Sequence, residues 1–289
     1  MTDVSAAITA ITLACTALSR SAHGDATVRG LIHHWPADGD AADAVGSADG
    51  TINGAVSYGD GRFGASFHIA SGASITFPPP AGEFGRSDFT VSFWCRMDRA
   101  MRAPMIAKRG TCDRADFYEI DIRLDGDVLV EIADGESGVT SLLTRSADVH
   151  DGQWHHVAWR RASTMQTVFV DGCALVTPVA TTVADVNIDA LLTLGMSPCV
   201  GGAANTVPFE GAIDEVQLYA RALEDGEIRL LAHAEMASDL SSDGKVGAAD
   251  LALMLAAWGQ CTACCAADLN GDNVVDAADL GAMLGAWSS

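Results

Sequence analysis

The sequence predicts a mainly β protein, in which an antiparallel β-sandwich is followed by a small C-terminal α module of two loop–helix repeats. Short segments between residues 25 and 222 alternate apolar and polar side chains with a period of two, as half-buried strands do. Turns rich in Gly and Asp separate these segments. From residue 236 onward the alternation stops, and the stretch 239–260 is followed by a close copy at 268–289.

The predicted strands are most evident where apolar side chains fall on every second residue. In FTVSFWCRM, residues 89–97, two Phe, one Val and one Cys side chain share one face. A helical segment, LEDGEIRLLAHA at 223–234, closes this part of the chain. Three further strands alternate similarly: QWHHVAWRRA (153–162), QTVFVDG (166–172) and GAIDEVQLYAR (211–221).

The composition limits the classes of partner. The chain has 289 residues, of which 49% are hydrophobic, and its formal net charge is −21. This charge argues against a nucleic-acid partner. It is compatible with cations, neutral glycans or protein partners, and equally with an acidic surface that is merely solvated. No run of about 18 apolar residues is present, so the protein is not expected to span a membrane.

Residues 1–24 are predicted to be a cleaved export signal. Residues 6–18 form an apolar run of the length found in secretory signals, and the small residues Ala22 and Gly24 precede a cleavage point at Asp25. The opening MTDVS lacks the Lys or Arg that such signals usually carry. We therefore expect a secreted or cell-surface protein.

Eight cysteines are compatible with disulfides in an exported protein. Cys112 and Cys199 both lie in predicted loops and could pair, whereas Cys95 lies on an apolar strand and is expected as a buried free thiol. The CTACC stretch at 261–265 is expected to form a local clip between the two repeats, with a zinc site as the alternative. The eight cysteines stand at positions 15, 95, 112, 173, 199, 261, 264 and 265.

The later strands carry motifs of a known family. GQWHHVAW, then VFVDG, and then FEGAIDEVQLYARALEDGEI resemble the laminin-G-like, concanavalin-type jelly-roll domains of bacterial surface proteins. The resemblance covers residues 30–234 and implies two packed antiparallel sheets, frequent adhesion to glycans or proteins, and often a structural calcium ion. Asp43 in the DAVGSADG loop and Asp214 in the IDEV segment are the sandwich residues that would bind such an ion. Either could instead be a turn or surface carboxylate.

A catalytic interpretation of the sandwich is weighed because some glycoside hydrolases share this fold and place carboxylates at alternate positions of one strand. In EIDIRL, Glu119 and Asp121 fit that pattern, but Arg123 and Leu124 stand where a third carboxylate is required. We therefore predict ordinary alternation, in which residues 120, 122 and 124 face the core and residues 119, 121 and 123 face water. No catalytic residue is assigned.

The WHHVAW strand contains two further candidates for a site. His155 and His156 are adjacent and point to opposite faces of a strand, so they are not expected to share a metal ion. Packing and hydrogen bonding are the expected roles of both imidazoles. Trp154 and Trp159 are expected in the core before they are considered as platforms for sugar rings.

The repeated tail contains two 12-residue loops with calcium-ligand spacing. DLSSDGKVGAAD at 239–250 and DLNGDNVVDAAD at 268–279 each place Asp at positions 1, 5 and 12. Calcium prefers oxygen ligands, which these short side chains and the carbonyl at position 7 would supply. The predicted ligands are Asp239, Ser241, Asp243, Lys245 (carbonyl) and Asp250 in the first loop, and Asp268, Asn270, Asp272, Val274 (carbonyl), Asp276 (through water) and Asp279 in the second.

A short apolar helix is predicted after each loop. Each helix has a stripe that is too small to be stable alone, so the two stripes are expected to bury against each other. The acidic loops would repel one another without a cation, so metal binding is expected to contribute folding free energy. The stripes consist of Leu251, Met254, Leu255 and Trp258 in the first repeat, and Leu280, Met283, Leu284 and Trp287 in the second.

The duplicated loop–helix unit at 238–289 resembles the type I dockerin module. The resemblance implies about two bound calcium ions and docking to a cohesin, with loop positions 10 and 11 helping to select the partner. These positions offer only methyl groups, so the expected partner is a divergent cohesin-like protein; a calcium-stabilised cap without a partner is the alternative. The four residues are Ala248, Ala249, Ala277 and Ala278.

Together these features predict a non-catalytic, exported bacterial binding protein. Residues 25–235 would recognise a glycan or surface ligand, and residues 236–289 would provide calcium-dependent docking. One alternative is a polysaccharide-degrading component, either a divergent glycoside hydrolase or an accessory subunit delivered by its dockerin. The other is a purely structural surface protein.

Overall fold

The computed structural model describes residues 29–113, 116–135, 138–145, 147–176, 179–180, 183–202, 205–233, 238–241, 245–261, 265–270 and 274–287. The predicted export signal at 1–24 lies outside these residues. Within them the chain is mainly β, as predicted, with three helices of nine residues each.

Eighteen strands and three helices make up the described chain. The strands of the sandwich are β1 Leu31–Trp35, β2 Thr51–Asn53, β3 Val56–Asp60, β4 Ala65–Ile69, β5 Ser74–Phe77, β6 Phe89–Arg96, β7 Ala103–Arg109, β8 Asp116–Ile122, β9 Val128–Asp134, β10 Thr140–Leu143, β11 Trp154–Ala162, β12 Met165–Val170, β13 Cys173–Ala174, β14 Val179–Ala180, β15 Leu192–Leu194 and β16 Gly211–Tyr219. The remaining elements are α1 Asp225–His233, α2 Ala248–Ala256, β17 Gly259–Gln260, β18 Val274–Val275 and α3 Ala277–Gly285.

Two antiparallel sheets form the predicted sandwich. In the larger sheet the strand order is β13-β12-β11-β6-β16-β4-β3, with β1 added on β16 and β14 on β12. In the smaller, seven-stranded sheet the order is β10-β9-β8-β7-β15-β5-β2. The strands β7 to β10 are neighbours in sequence and in space, so the smaller sheet ends in a meander.

The core lies between the two sheets and follows the predicted alternation. On β6 the side chains of Phe89, Val91, Phe93 and Cys95 are all fully buried. The opposite face of β6 is buried too, because β6 is central in its sheet and its outer face is covered. Aromatic side chains occupy the largest part of the core: Trp35, Phe67, Phe77, Tyr118, Trp159 and Phe209.

Helix α1 covers the outer face of the larger sheet. Ile228 on the helix is fully buried against Ala158, Phe169 and Tyr219, which lie on three strands of that sheet. Asp225 and Glu227 lie in the first turn, where negative charge interacts favourably with the helix dipole. The sequence therefore located this helix to within two residues.

The tail forms a small core of its own, but only half of each predicted stripe belongs to it. Met254 and Met283 are fully buried, whereas Trp258 and Trp287 are 47% and 41% exposed. Helix α2 ends at the cap residue Ala257, so the 3.6-residue period does not carry its tryptophan onto the buried face. The expectation that the two stripes bury against each other therefore fails at the two tryptophans. Exposed as well are Leu255 and Leu284.

A short strand pair joins the two repeats, where no strand was predicted. Gly259 pairs with Val275 and Gln260 pairs with Val274, in antiparallel register. Two paired residues on each strand give too short a period-two pattern for recognition in the sequence. The pairing places the buried side chain of Val275 beside Val246 in the tail core.

The disulfide predictions are confirmed where the structure describes both cysteines. Cys112 pairs with Cys199 across 87 residues, and Cys261 pairs with Cys265 within the tail. Cys173 is also disulfide-bonded. Cys95 is free and buried, and burial raises the pKa of its thiol.

Candidate functional site

A polar cleft lies on the outer face of the smaller sheet. Glu119 and Asp121 on β8 point to the same side, because they are two residues apart on a strand. Glu131 on β9 stands directly opposite Glu119 in the antiparallel register. Directly opposed side chains have Cβ atoms about 5 Å apart, so the three carboxyl groups share one floor.

Arg109 on β7 is committed to the protein itself. Its Nη1 atom donates to Glu119 Oε2 at 2.5 Å, Nε donates to the carbonyl of Thr111 at 2.9 Å, and Nη2 donates to the carbonyl of Asp113. The guanidinium carbon lies 3.6 Å from the centre of the Phe117 ring. Arg109 therefore fixes one oxygen of Glu119 and fastens the neighbouring loop to the sheet.

Two carboxylate oxygens in this cleft accept no hydrogen bond from any residue that the structure describes. Glu119 and Asp121 are only 3% and 5% exposed, and the oxygens concerned are Glu119 Oε1 and Asp121 Oδ1. Burial, followed by the charges of Glu119 and Glu131, raises the pKa of Asp121 to about 8. Unpartnered polar atoms are rare in a folded interior, so they indicate a place for a ligand.

The walls of the cleft come from two loops joined by a disulfide. The bond between Cys112 and Cys199 holds the loop after β7 against the loop after β15. The cleft between them measures about 520 Å³, which is within the usual range of small-molecule sites. Arg102, Asp113, Phe117, Ser141 and Thr206 complete its lining.

The structure of the cleft shows that one sequence prediction was wrong. It also shows a third carboxyl group beside Glu119 and Asp121, which the EIDIRL motif does not contain. Residues 120 and 122 face the core as expected, but Glu119 and Asp121 lie beneath loops instead of facing water. Leu124 is 66% exposed, because β8 ends at Ile122 and a turn follows. The third carboxylate is Glu131, which comes from the next strand. Its position depends on the register between β8 and β9, which no local motif reveals.

Asp43 is enclosed by donors. His33 Nδ1 lies 2.6 Å from its Oδ2 atom, and the backbone N–H groups of His34, Gly46 and Ala48 donate to its two oxygens. Burial raises the pKa of Asp43, but these hydrogen bonds outweigh it and hold the pKa at about 2. The carboxylate thus fastens its loop to β1, and its role as a calcium ligand stays a prediction.

Asp214 lies on β16 with no exposed surface. The backbone N–H groups of Arg62 and Phe63 donate to Oδ2 at 2.8 and 3.1 Å, and that of Glu215 donates to Oδ1. Burial raises the pKa of Asp214 to about 7, with partial compensation from the hydrogen bonds. Asp214 and Asp43 make separate sets of contacts, and calcium binding at Asp214 also stays a prediction.

The histidines of the WHHVAW strand have structural partners. His155 Nδ1 lies 2.8 Å from Asp171 Oδ2, and its Nε2 lies 3.0 Å from Asp151 Oδ1. His156 is buried and its Nε2 lies 2.8 Å from the hydroxyl of Ser92. These separate partners agree with the predicted hydrogen-bonding roles.

The two tail loops repeat one hydrogen-bond pattern. The N–H groups of Ser241 and Gly247 donate to opposite oxygens of Asp250, at 2.8 and 2.6 Å. The equivalent N–H groups of Asn270 and Asp276 donate to the two oxygens of Asp279, at 3.1 and 2.8 Å. The sequence duplication is therefore a structural duplication, in which the carboxylate at position 12 joins its loop to the start of a helix.

The described part of each loop offers only oxygen ligands from buried side chains. Asp239, Asp250, Asp268 and Asp279 are at most 7% exposed, and Ser241 lies beside Asp239, with 3.3 Å between their side-chain oxygens. This chemistry fits calcium, although no group of three acidic, His or Cys side chains among the described residues is placed to hold a metal. The ligands predicted at position 5, Asp243 and Asp272, lie outside those residues.

Arg229 connects the sandwich to the second loop. Its Nη1 atom donates to Asp268 Oδ2, so a guanidinium from α1 lies against the residue predicted as the first calcium ligand. The side chain of Asp268 is fully buried, and the ion pair partly compensates for that burial. No local sequence pattern predicts this contact, because 39 residues separate the two partners.

The positions predicted to select a partner are on the surface. The four residues are the first two of each tail helix, and they are all exposed: Ala248, Ala249, Ala277 and Ala278. The rest of the exposed helical surface is apolar too, since α2 and α3 contain no charged side chain apart from the buried Asp250 and Asp279.

Among the other depressions, two involve strands β6 and β16 of the larger sheet. One of about 640 Å³ is open and is lined by His68, Arg96, Arg99 and Glu210 among others, with Arg99 and Glu210 paired at 2.9 Å. The other measures about 330 Å³ and is lined by Trp94 and residues beside α1. The cleft on the smaller sheet differs from both in its pair of buried, unpartnered carboxylate oxygens.

The family of the chain follows from its sequence. A laminin-G profile, described as the concanavalin A-like lectin/glucanases superfamily, matches residues 70–229, which is more than half of the chain. The chain belongs to this superfamily. The jelly-roll expectation is thereby confirmed, and the matched region includes the whole meander that carries the cleft. No curated protein matches the sequence.

Solved structures share the sandwich. Domain 4 of AbnA, an extracellular GH43 arabinanase from Geobacillus stearothermophilus, was solved with arabinotriose; it has a TM-score of 0.56 and 21% identity over 70% of this chain and 98% of that domain. The binding domain of Paraclostridial Mosquitocidal Protein 1 has a TM-score of 0.57 and 15% identity over 72% of this chain and 53% of its own.

A third similar structure is the binding domain of Botulinum Neurotoxin DC in complex with SialylT. It has a TM-score of 0.55 and 13% identity, covering 72% of this chain and 52% of that chain. This protein therefore spans about half the length of the two toxin domains. At these identities the likeness concerns the fold alone. No helix among the described residues is long and apolar enough to cross a membrane.

Proposed function

We propose that this protein is an exported, non-catalytic binding protein whose sandwich recognises a glycan in the cleft on the smaller sheet. The observation that carries the proposal is the pair of buried oxygens, Glu119 Oε1 and Asp121 Oδ1, which accept no hydrogen bond from the described residues. Sugar hydroxyl groups are hydrogen-bond donors that would satisfy both oxygens. One similar structure was solved with arabinotriose and another in complex with SialylT, which supports this choice of ligand.

A glycan array probed with the intact protein tests the proposal. Binding should be seen, and the tightest ligand should then be measured by titration calorimetry. Asp121→Ala combined with Glu131→Ala should weaken affinity at least about tenfold, because one of the two unpartnered acceptors and a second carboxyl group of the cleft floor are lost. Asp116→Ala is the control, since Asp116 is exposed at the start of the same strand. Unchanged affinity in the double variant would remove the cleft from the proposal.

The tail is proposed to be a dockerin-like module that binds about two calcium ions. Its all-oxygen ligand chemistry and the duplicated geometry at Asp250 and Asp279 support this role. Calcium would supply the charge that the buried carboxylates need. Titration of the full chain should detect two sites, and the far-ultraviolet circular dichroism should show helix gained with calcium. If the helix content in excess chelator equalled the helix content with calcium, this result would argue against a calcium-binding module.

Protein docking is proposed for the exposed faces of α2 and α3. An apolar helical surface on a protein of net charge −21 is unusual, and it favours contact with a partner. A divergent cohesin-like protein is the expected partner, because the four alanines at loop positions 10 and 11 offer methyl groups and no hydrogen bonds. Replacing exposed leucines by Ser should abolish a calcium-dependent complex without unfolding the tail.

Export is proposed from the disulfides, since bonds such as Cys112–Cys199 persist in oxidising compartments outside the cytosol. The secreted or cell-surface location expected from residues 1–24 agrees with them. Detection of the protein in the culture medium or at the cell surface, with residues 1–24 removed, would support export; retention in the cytosol with reduced cysteines would contradict it.

Polysaccharide hydrolysis is a second candidate function. The observation favouring it is that burial, followed by the two neighbouring glutamates, raises the pKa of Asp121 to about 8, so that Asp121 is protonated at neutral pH and a second carboxyl group, Glu131, lies nearby. Asp121 would protonate the departing oxygen while Glu131 directs water to the anomeric carbon. Reducing sugar released by the wild type but not by Asp121→Asn would favour hydrolysis, and stable binding without release would favour the binding protein.

A further inference from the structure

The charges around the cleft floor do not balance. Glu119, Asp121 and Glu131 face two arginines, Arg102 and Arg109. Arg109 already donates to Glu119 and to two backbone carbonyls, so its charge is largely used in holding the loop. Ser141 donates its hydroxyl to Glu131 at 2.9 Å and brings no charge. With all three carboxyl groups ionised, the floor would carry more negative than positive charge, and this excess adds to burial in raising the pKa of Asp121. The floor therefore has acceptor oxygens in excess and lacks one positive charge that would let Asp121 ionise.

We infer that this cleft takes a sugar unit bearing a primary ammonium group, such as a glucosamine residue, and seats the ammonium between Asp121 and Glu131. The inference rests on the proposed glycan-binding function and names the class of glycan. A primary ammonium has three donors and no acceptor, which matches a floor with unpartnered acceptor oxygens. A neutral hydroxyl would satisfy one oxygen but would not compensate the negative charge of an ionised Asp121.

A free metal ion fits this floor less well than an ammonium. Among the residues that the structure describes, the three carboxyl groups are not placed to share one metal ion. Arg109 also binds Glu119 directly, and a divalent cation would lie close to that guanidinium. A cleft of about 520 Å³ instead has room for a sugar ring to carry the cation in.

The protonation of Asp121 provides a signature of ammonium binding. The charged groups facing it are Glu119 on its own strand, Glu131 on β9, and Arg102 and Arg109 from β7 and the segment before it, with Asp113 on the cleft rim. In the free protein burial and the two glutamates keep Asp121 protonated at pH 6. A bound ammonium favours the ionised form, so binding should release a proton, up to about one per ligand.

The experiment compares three β-1,4-linked tetrasaccharides that differ only at the second carbon of each ring: glucosamine, N-acetylglucosamine and glucose. Titration calorimetry at pH 6, in two buffers of different ionisation enthalpy, measures affinity and proton release together. The glucosamine tetramer should bind at least about tenfold more tightly than the other two, and it alone should release a proton. Added salt should reduce the difference in affinity between the glucosamine tetramer and the other two, because salt screens the attraction between charges.

Asp121→Asn should remove both the preference for the glucosamine tetramer and the proton release. The amide has nearly the same shape as the carboxyl group but cannot ionise. Asp116→Asn, at the exposed end of the same strand, should leave both intact. Equal binding of the three tetramers would overturn the ammonium inference while glycan binding stands. Binding of other glycans on the array but of none of these three would do the same, and a blank array would overturn both proposals.

Discussion

Three aspartates show how neighbours decide what one side chain does. Asp43 is surrounded by N–H donors and is held ionised, with a pKa of about 2. Asp214 is buried with fewer donors, and burial raises its pKa to about 7. Burial, followed by the charges of Glu119 and Glu131, raises the pKa of Asp121 to about 8, and one of its oxygens has no hydrogen-bond partner among the described residues. Only Asp121 is both protonated at neutral pH and next to an open cleft, so it is the residue suited to bind a ligand.

Asp43→Asn tests whether this residue is a structural anchor. The amide can accept at one oxygen only, so the N–H groups that face its new NH2 group would lose their acceptor. We expect a loss of about 2–4 kcal/mol in the free energy of unfolding, measured in urea near neutral pH. Asp40→Asn is a suitable control, because Asp40 makes one exposed hydrogen bond. Unchanged stability with loss of a bound calcium ion would instead make Asp43 a ligand.

His155 predicts a pH dependence of stability. The hydrogen bond with Asp171 makes the largest contribution and raises the pKa of His155. Desolvation lowers this pKa and the hydrogen bond with Asp151 raises it further, so that it changes from 6.5 to about 9. The folded state therefore binds the proton more tightly, so the stabilisation is full below about pH 6.5 and is lost as the pH rises through about 9. Because the two aspartates are partly exposed, solvent weakens their interaction with His155, and this stabilisation amounts to about 1–2 kcal/mol.

Urea unfolding of wild type and His155→Gln at pH 6 and pH 10 measures this contribution. The wild type should exceed the variant at pH 6, and the difference should shrink at pH 10. Asp171→Asn should reproduce the profile of the variant, because it removes the partner that contributes most to the shift. A difference that is the same at both pH values would show that His155 acts by packing alone.

At the scale of elements, sequence periodicity predicted which side chains of a strand face the core. It did not predict which residues of neighbouring strands lie opposite each other. Alternation on β6 and β8 located the core side chains, since a strand imposes a period of two by itself. The cleft required the pairing of Glu119 with Glu131, the loop joined by Cys112–Cys199, and the end of β8 at Ile122. These depend on contacts between distant segments, which no local pattern contains.

The tail helices show the same limit. The position 12 aspartates and the buried methionines could be placed from spacing alone, because they are four residues apart on one helix face. Leu255 follows Met254 by one residue, which rotates it about 100° away from that face. The structure therefore divides each predicted stripe into a buried part and an exposed part, and the exposed part is free for docking.

Paired substitutions test this division in the first repeat. Met254→Ala should destabilise the calcium-loaded tail by about 2–4 kcal/mol, because a fully buried side chain leaves a cavity. Trp258→Ser should change stability little, because the side chain is 47% exposed. Thermal unfolding followed by circular dichroism compares the two. Equal destabilisation would mean that Trp258 is packed after all.

At the scale of the whole molecule, the sandwich and the tail are joined by charge as well as by the chain. Arg229 on α1 donates to Asp268, the first residue of the second loop. The same carboxylate is the ligand predicted to bind calcium there. If calcium binds, it competes with a fixed guanidinium, and the affinity of the second loop depends on the sandwich.

Arg229→Gln should therefore strengthen calcium binding at the second loop, by about tenfold for a contribution near 1.4 kcal/mol. Calcium titration of the full chain measures this, with Asp268→Ala expected to remove the second site and Asp239→Ala the first. Asp239 belongs to the other loop, so the first site should keep its affinity in Arg229→Gln. A weaker second site in that variant would mean that the arginine supports calcium binding instead of opposing it.

A crystal structure of the intact protein with its best-bound glycan would show where the ligand lies. We expect a sugar in the cleft on the smaller sheet, with ligand donors within about 3 Å of Asp121 Oδ1 and Glu119 Oε1. A sugar seated instead at the depression lined by His68 and Glu210, or beside α1 at Trp94, with the carboxylate floor untouched, would contradict this expectation.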